Sequence, residues 1–169
     1  MNLDIERKFD MIGRIVIGMP SYIIHLAVAK EYLKSHTEEN TDEFIRGVIA
    51  PDLLEKPQSH YGESSSEPDL KKYIQVNGLH TSYDRGYYLH LKTDWIFYHD
   101  LLPANVFCEE VYNDYDRMNA SLIKKYELII PEEVKDYVGF RDGRTKKLHE
   151  HMVDRFIGKV GKLDLEQLP

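Results

Sequence analysis

A chain of 169 residues with one cysteine, 42% hydrophobic and 30% charged residues has the length and composition of a single folded domain, and it cannot be a disulfide-stapled scaffold. Its 29 acidic against 22 basic residues leave a formal charge of −7, which repels phosphate backbones and anionic lipid surfaces and excludes general nucleic-acid coating. A bound metal is the local exception to such a field, because it concentrates positive charge that bulk composition hides, and eight histidines offer ligands for one.

The first 18 residues hold one apolar stretch, 11–19, broken by Arg14 and preceded by the mixed-charge run Asp4-Ile5-Glu6-Arg7-Lys8. It is far shorter than the ~20 apolar residues of a membrane span and lacks the pattern of an export signal. The expectation is an N-terminal arm, or an over-extended start with translation beginning at Met19, in a protein with no transmembrane segment and a cytoplasmic location by default. From Pro20 and Ser21 a helix over 22–34 carries Ile24, Ala27, Val28 and Leu33 at helical spacing. Thr41 or Asp42 caps a second, with Phe44, Ile45 and Val48, which Pro51 should end because proline disfavours helix in the residue before it. The run Gly62-Glu63-Ser64-Ser65-Ser66-Glu67 has no apolar anchor and reads as a mobile surface loop.

An aromatic helix follows over about 83–101, and another over about 106–126 carries Phe107, Val111, Tyr115 and Met118 at three- and four-residue steps. Within it, Asn113-Asp114-Tyr115-Asp116 reads as a solvated face, and Cys108 as a small core residue. A short helix over 132–138 and an amphipathic one over 146–160 precede a tail, 161–169. Nothing alternates as strands do, and no repeat of fixed period is visible. The predicted fold is all-α: a single-domain bundle of about six helices over residues 19–160, with a metal site between helices.

Three stretches carry groups suited to chemistry. His90 and Asp94 stand four apart in a helix, hence on one face, as two ligands of one metal or as a histidine oriented by a carboxylate; a solvated helix face would show the same spacing. The apolar residues around them argue against exposure of every face, and a buried aspartate needs a compensating partner. Asp52 follows an apolar helix end and a proline, with His60 eight residues on; the pair either aims at one point in the bundle or caps a turn and faces solvent. His25 lies among apolar neighbours, as a ligand or a satisfied core histidine. Together these five are the nitrogen and oxygen donors that zinc or another divalent transition metal accepts.

The segments Met19-Pro20-Ser21-Tyr22-Ile23-Ile24-His25, Ala50-Pro51-Asp52 with His60-Tyr61-Gly62, and Gly86-Tyr87-Tyr88-Leu89-His90-Leu91-Lys92-Thr93-Asp94 resemble, in order and spacing, the bacterial zinc-dependent phospholipase C family. More remotely they are similar to the single-strand nucleases of the same helical superfamily. The likeness covers residues 19–101. It implies His25, Asp52, His60, His90 and Asp94 as zinc ligands, Asp94 as the bridging carboxylate, and His99 in place of the histidine that follows the family's HxxxD pair. The family's later HxxxE helix has no counterpart, since His149-Glu150-His151-Met152-Val153-Asp154 places histidines and acids at other spacings. One or two metals are therefore expected rather than three.

The implied activity is hydrolysis of a small phosphoester or a phospholipid headgroup by metal-activated water, with Asp52 and Asp94 in catalytic roles and no covalent intermediate. Two rivals stand beside it. One is an HD-type phosphohydrolase centred on His99-Asp100; the other is a non-catalytic helical interaction module that uses the aromatic helix to pack on a partner.

Overall fold

The structure is a computed structural model and describes residues 21–106 and 108–167; the expected N-terminal arm and Phe107 lie outside the described residues. Six α-helices make up the described chain: α1 (Tyr22–Tyr32), α2 (Thr41–Leu53), α3 (Leu70–Asn77), α4 (Ser82–Ile96), α5 (Glu109–Lys125) and α6 (Glu150–Val160). Among these residues there is no strand, only one isolated bridge between Ser64 and Glu67. The all-α bundle expected from periodicity is the fold. No described helix is long and apolar enough to cross a membrane.

Helix α1 starts where the Ser21 hydroxyl accepts the Ile24 N–H, and it buries Ile23 through Ala29, so apolar contacts surround it on every side. Asn40 caps α2 by accepting from Glu43, and a reciprocal Thr81/Asp84 capping box opens α4. Two glycines then fix how α2 and α4 meet. A Cβ on Gly47 would lie 2.2 Å from the Tyr83 carbonyl oxygen, and one on Gly86 only 2.0 Å from that of Phe44. The two backbones touch at this crossing, and Asp52, His90 and Asp94 are carried a turn or two beyond it.

Four local expectations are corrected. Pro51 does not end α2; the helix runs on to Leu53, and the Leu54 N–H still reaches the Ala50 carbonyl at 3.0 Å, because a proline in the last turn removes only its own bond. Residues 62–67 are not an unanchored loop. Ser65 and Ser66 are buried, the Ser64 and Ser66 hydroxyls meet at 2.9 Å, and the Asp69 N–H closes onto the His60 carbonyl at 3.1 Å; polar contacts supply the anchor that apolar ones do not. Cys108 is exposed, at the N-cap of α5. Asp114 is fully buried rather than solvated, and accepts the N–H groups of Lys146, Lys147 and Leu148.

That last feature also explains why the expected helix over 146–160 begins only at Glu150: three of its would-be N–H groups are committed to a carboxylate on another helix. The aromatic helix likewise stops at Ile96 and passes into a π turn, Phe97–Leu101. The short helix expected over 132–138 is present as a 3-10 helix, Glu132–Tyr137. The short α3 went unpredicted because only Leu70 and Tyr73 of its eight residues are buried. The tail is held down, with Leu165 buried and the Lys92 ammonium donating to the Gln167 and Asp164 carbonyls.

Candidate metal centre

Helix α4 contributes His90 and Asp94 from one face, α2 contributes Asp52 from its last turn, and the 3-10 turn Gln58–His60 contributes His60. These four offer one ligand atom each within 4.8 Å of one another. His60 Nε2 stands 3.0 Å from Asp94 Oδ2 and 3.6 Å from Asp52 Oδ1. His90 Nε2 stands 3.3 Å and 3.5 Å from the same two oxygens. Ligand atoms about 2.0–2.2 Å from a tetrahedral zinc ion lie roughly 3.3–3.6 Å apart, and these four imidazole–carboxylate separations are of that order. All four are at most 1% exposed at the side chain.

The backs of the two imidazoles are tied down. His90 Nδ1 lies 2.7 Å from the Val48 carbonyl oxygen, which can only accept, so Nδ1 carries the hydrogen. His60 Nδ1 lies 2.9 Å from the Ser59 hydroxyl, and Ser59 is itself held by the Tyr87 hydroxyl donating to its carbonyl at 2.6 Å. Both rings therefore have an anchor for Nδ1–H while Nε2 faces the cluster, the second-shell arrangement common among metal-bound histidines.

His25 approaches from α1 on the other oxygen of the same carboxylate: its Nε2 is 3.1 Å from Asp94 Oδ1, and its ring stacks on His90 at 3.7 Å between centroids. Asp94 thus turns one oxygen to His60 and His90 and the other to His25. The hydrogen bonding is incomplete, since Asp52 Oδ1, Asp94 Oδ1, His90 Nε2 and both ring nitrogens of His25 are buried without a well-formed hydrogen bond. Buried polar atoms are seldom left so, and here they gather on one locus. These donors fit a divalent transition metal.

The protein's own charges are strongly coupled at this point. Burial disfavours a charged His90, but Asp52 and Asp94 outweigh it and push its pKa up to about 10. Burial would raise the Asp94 carboxyl, yet His90 and His25 hold it well below the usual carboxylate range. Asp52 is likewise held down against burial, by Lys56 and His90. Burial lowers His25, and the neighbouring His90 lowers it further. Phenols wall the site. Tyr112 is pushed up to about 12 by burial and then by Asp52; burial and then Asp52 raise Tyr22, while burial, then a neighbouring tyrosine and then the aspartates raise Tyr98 and Tyr115.

His99 does not join the group. It is exposed, its ring stacks on Trp95 at 4.0 Å, Nδ1 faces the Trp95 carbonyl at 2.6 Å and Nε2 faces Glu67 at 3.6 Å. Five residues beyond Asp94, it sits roughly 140° around the helix from the ligand face. Asp100 pairs with Lys159 at 2.7 Å, so the two residues of an HD centre point to separate surface partners. His149 and His151 stack on each other, and the first contacts Thr145 at 2.9 Å; neither reaches the cluster. Sequence reasoning missed Ser59, Val48 and the phenol wall. It also missed Lys56, whose spacing of four from Asp52 was a legible pairing signal.

No family model, curated protein or solved structure matches the chain.

Proposed function

We propose that Asp52, His60, His90 and Asp94 bind a divalent transition metal, zinc fitting the donor set best, and that the protein is a metal-dependent phosphoester hydrolase. The observation that carries this reading is the convergence of buried, incompletely hydrogen-bonded imidazole and carboxylate side chains whose ligand atoms lie within 4.8 Å of one another. His25 on the free oxygen of Asp94 supports a second ion sharing that carboxylate. Hydrolysis of a phosphoester, of the size of a small metabolite or a phospholipid headgroup, is supported by the resemblance of the three motifs to the zinc-dependent phospholipase C family.

When bound, such an ion lowers the pKa of a coordinated water toward ~7 and offsets phosphoester charge. His60 and His90 would hold the ion through Nε2, their Nδ1 atoms being tied to Ser59 and Val48. Asp94 would offer one oxygen toward His60 and His90 and the other toward His25. Asp52 stays ionised, since Lys56 and His90 overcome its burial, and its Oδ1 would be the ligand atom that it offers beside His60 and His90. Burial of every ligand excludes bulk water, which strengthens each electrostatic contact.

Elemental analysis of the purified protein tests the proposal. Stoichiometric zinc, iron or manganese that disappears in Asp94→Ala, with turnover of a generic phosphodiester that tracks metal content, is the expected result. A metal-free protein whose melting temperature responds to neither chelator nor added metal would instead favour the helical interaction module.

A further inference from the structure

Three large apolar side chains stand out on the strap of chain that follows α5: Ile129 is 89% exposed, Tyr137 56% and Phe140 61%. Each is held outward by its neighbours. Leu128 and Ile130, on either side of Ile129, pack onto the buried cluster of Leu26, Ile49 and Val134, and Val138, next to Tyr137, packs onto the main core. Phe140 lies between two backbone clamps onto α5: the Asn119 amide donates to the Gly139 carbonyl at 2.8 Å, and the Arg141 N–H donates to the Asp116 carbonyl at 3.1 Å. The chain beyond Phe140 is basic. Residues 139–147 carry Arg141, Arg144, Lys146 and Lys147 against one acid, Asp142, and the buried Asp114 pins their far end through the N–H groups of residues 146–148. Lys146 reaches Glu110 at 3.6 Å. Arg141, Arg144 and Lys147 are exposed and form no ion pair among the described residues.

We propose that this strap and loop are a peripheral docking surface for an anionic lipid membrane, with Ile129, Tyr137 and Phe140 entering the headgroup region and Arg141, Arg144 and Lys147 meeting lipid phosphates. The inference does not rest on the metal reading. Apolar groups on a braced backbone lose little conformational freedom on docking, so most of what they gain by leaving water is kept. Aliphatic and aromatic side chains beside arginine and lysine match the boundary between acyl chains and charged headgroups. The formal charge of −7 opposes approach from a distance, but charges beyond about 10 Å are largely screened at physiological salt. Contact is then decided by the loop, where cations outnumber acids. A nucleic-acid strand would satisfy the arginines but leave Ile129 unused, since it offers no ring for a base to stack on. A second copy of the chain would set one cationic loop against another across a two-fold interface.

Co-sedimentation of the full chain with vesicles tests this, with phosphatidylcholine alone set against phosphatidylcholine mixed with phosphatidylserine. Wild type should partition onto the mixed vesicles and not onto phosphatidylcholine alone, and less so as salt is raised. Arg141→Gln combined with Arg144→Gln should weaken that partitioning about thirtyfold, and Phe140→Ser several-fold, with melting temperatures at the wild-type value. No binding by wild type, or binding that survives both changes, overturns the proposal. A dimer that Phe140→Ser disperses in the absence of lipid would give the face to a second copy and overturn it as well. Should the variants fail to fold, the unmodified chain answers the question: mixed vesicles should protect Arg141 and Arg144 from phenylglyoxal several-fold, read by mass spectrometry. Absence of protection overturns the assignment.

Discussion

Asp94 and Asp114 are both 0% exposed, yet their surroundings differ in kind. Asp114 accepts backbone N–H groups from Lys146, Lys147 and Leu148 at 2.7–2.9 Å and the Arg117 guanidinium at 2.8 Å, so its lone pairs are filled and its charge is neutralised. Asp94 faces three imidazoles at 3.0–3.3 Å, and its Oδ1 lacks a well-formed hydrogen bond. The first clips residues 146–148 onto α5. The second is the hub of a set of donors that are incompletely served by the protein itself. Burial of a carboxylate is therefore no sign of function by itself; the state of its partners separates a clip from a ligand.

The sharpest way to break this contrast is to exchange the roles by mutation. Asp94→Asn keeps the shape of the side chain but removes its charge, and it should abolish metal uptake, taking with it the response of the melting temperature to chelator; retention of stoichiometric metal would erase the distinction. Asp114→Ala should do the reverse. Removing the acceptor of the Lys146, Lys147 and Leu148 N–H groups, of which that of Leu148 is buried, costs about 1–3 kcal/mol, seen as a lowered denaturant midpoint, while metal content per folded molecule stays at the wild-type value.

Gly86→Ala probes what holds the ligand side together. Its new methyl would meet the Phe44 carbonyl at 2.0 Å, forcing α2 and α4 apart. We expect about 1–3 kcal/mol of destabilisation together with weakened metal binding, because Asp52 and His90 ride on opposite sides of that contact. Loss of stability without any change in metal affinity would mean that the crossing does not set the site.

The two carboxylate regions should also respond to pH in opposite ranges. His90 has a folded pKa of about 10, raised from 6.5, so its contribution to the metal-free protein is complete below about pH 6.5 and is lost as pH rises toward 10. Asp114 is held below 3.8 by its backbone donors, against the effect of burial, so its contribution is complete above that value and is lost on acidification. Metal uptake at pH 8 should release about one proton, since His90 must give up its hydrogen to ligate; calorimetry in buffers of different ionisation enthalpy reads this directly. The smallest effect belongs to His99→Ala and Asp100→Ala, which should leave metal content unchanged. Loss of metal in either would revive the HD-type arrangement.

Much of the ligand side was legible from spacing. His90 and Asp94 four apart had to share a face of α4, and the apolar residues around them had to bury that face. Asp52 and His60 were harder, because a position after a helix end does not say where it aims; only the likeness of the three motifs taken together tied them to α4. His99 was misassigned for a geometric reason, lying five residues past Asp94 and thus off the shared face. The Asp114 clip was invisible because its partners lie more than thirty residues away and are backbone groups, which leave no mark on the sequence. Residues 62–67 were misread because serine hydroxyls and main-chain bonds anchor them where apolar side chains were sought. Gly47 and Gly86 were visible as letters, but their meaning comes from the backbone that each one approaches.

The account turns on a cation at one locus, and anomalous diffraction at the zinc edge from crystals of the zinc-loaded full chain tests that most directly. The predicted map has its strongest peak among Asp52 Oδ1, His60 Nε2, His90 Nε2 and Asp94 Oδ2. A map with no peak there, or with zinc only at surface histidines such as His149 and His151, would contradict it.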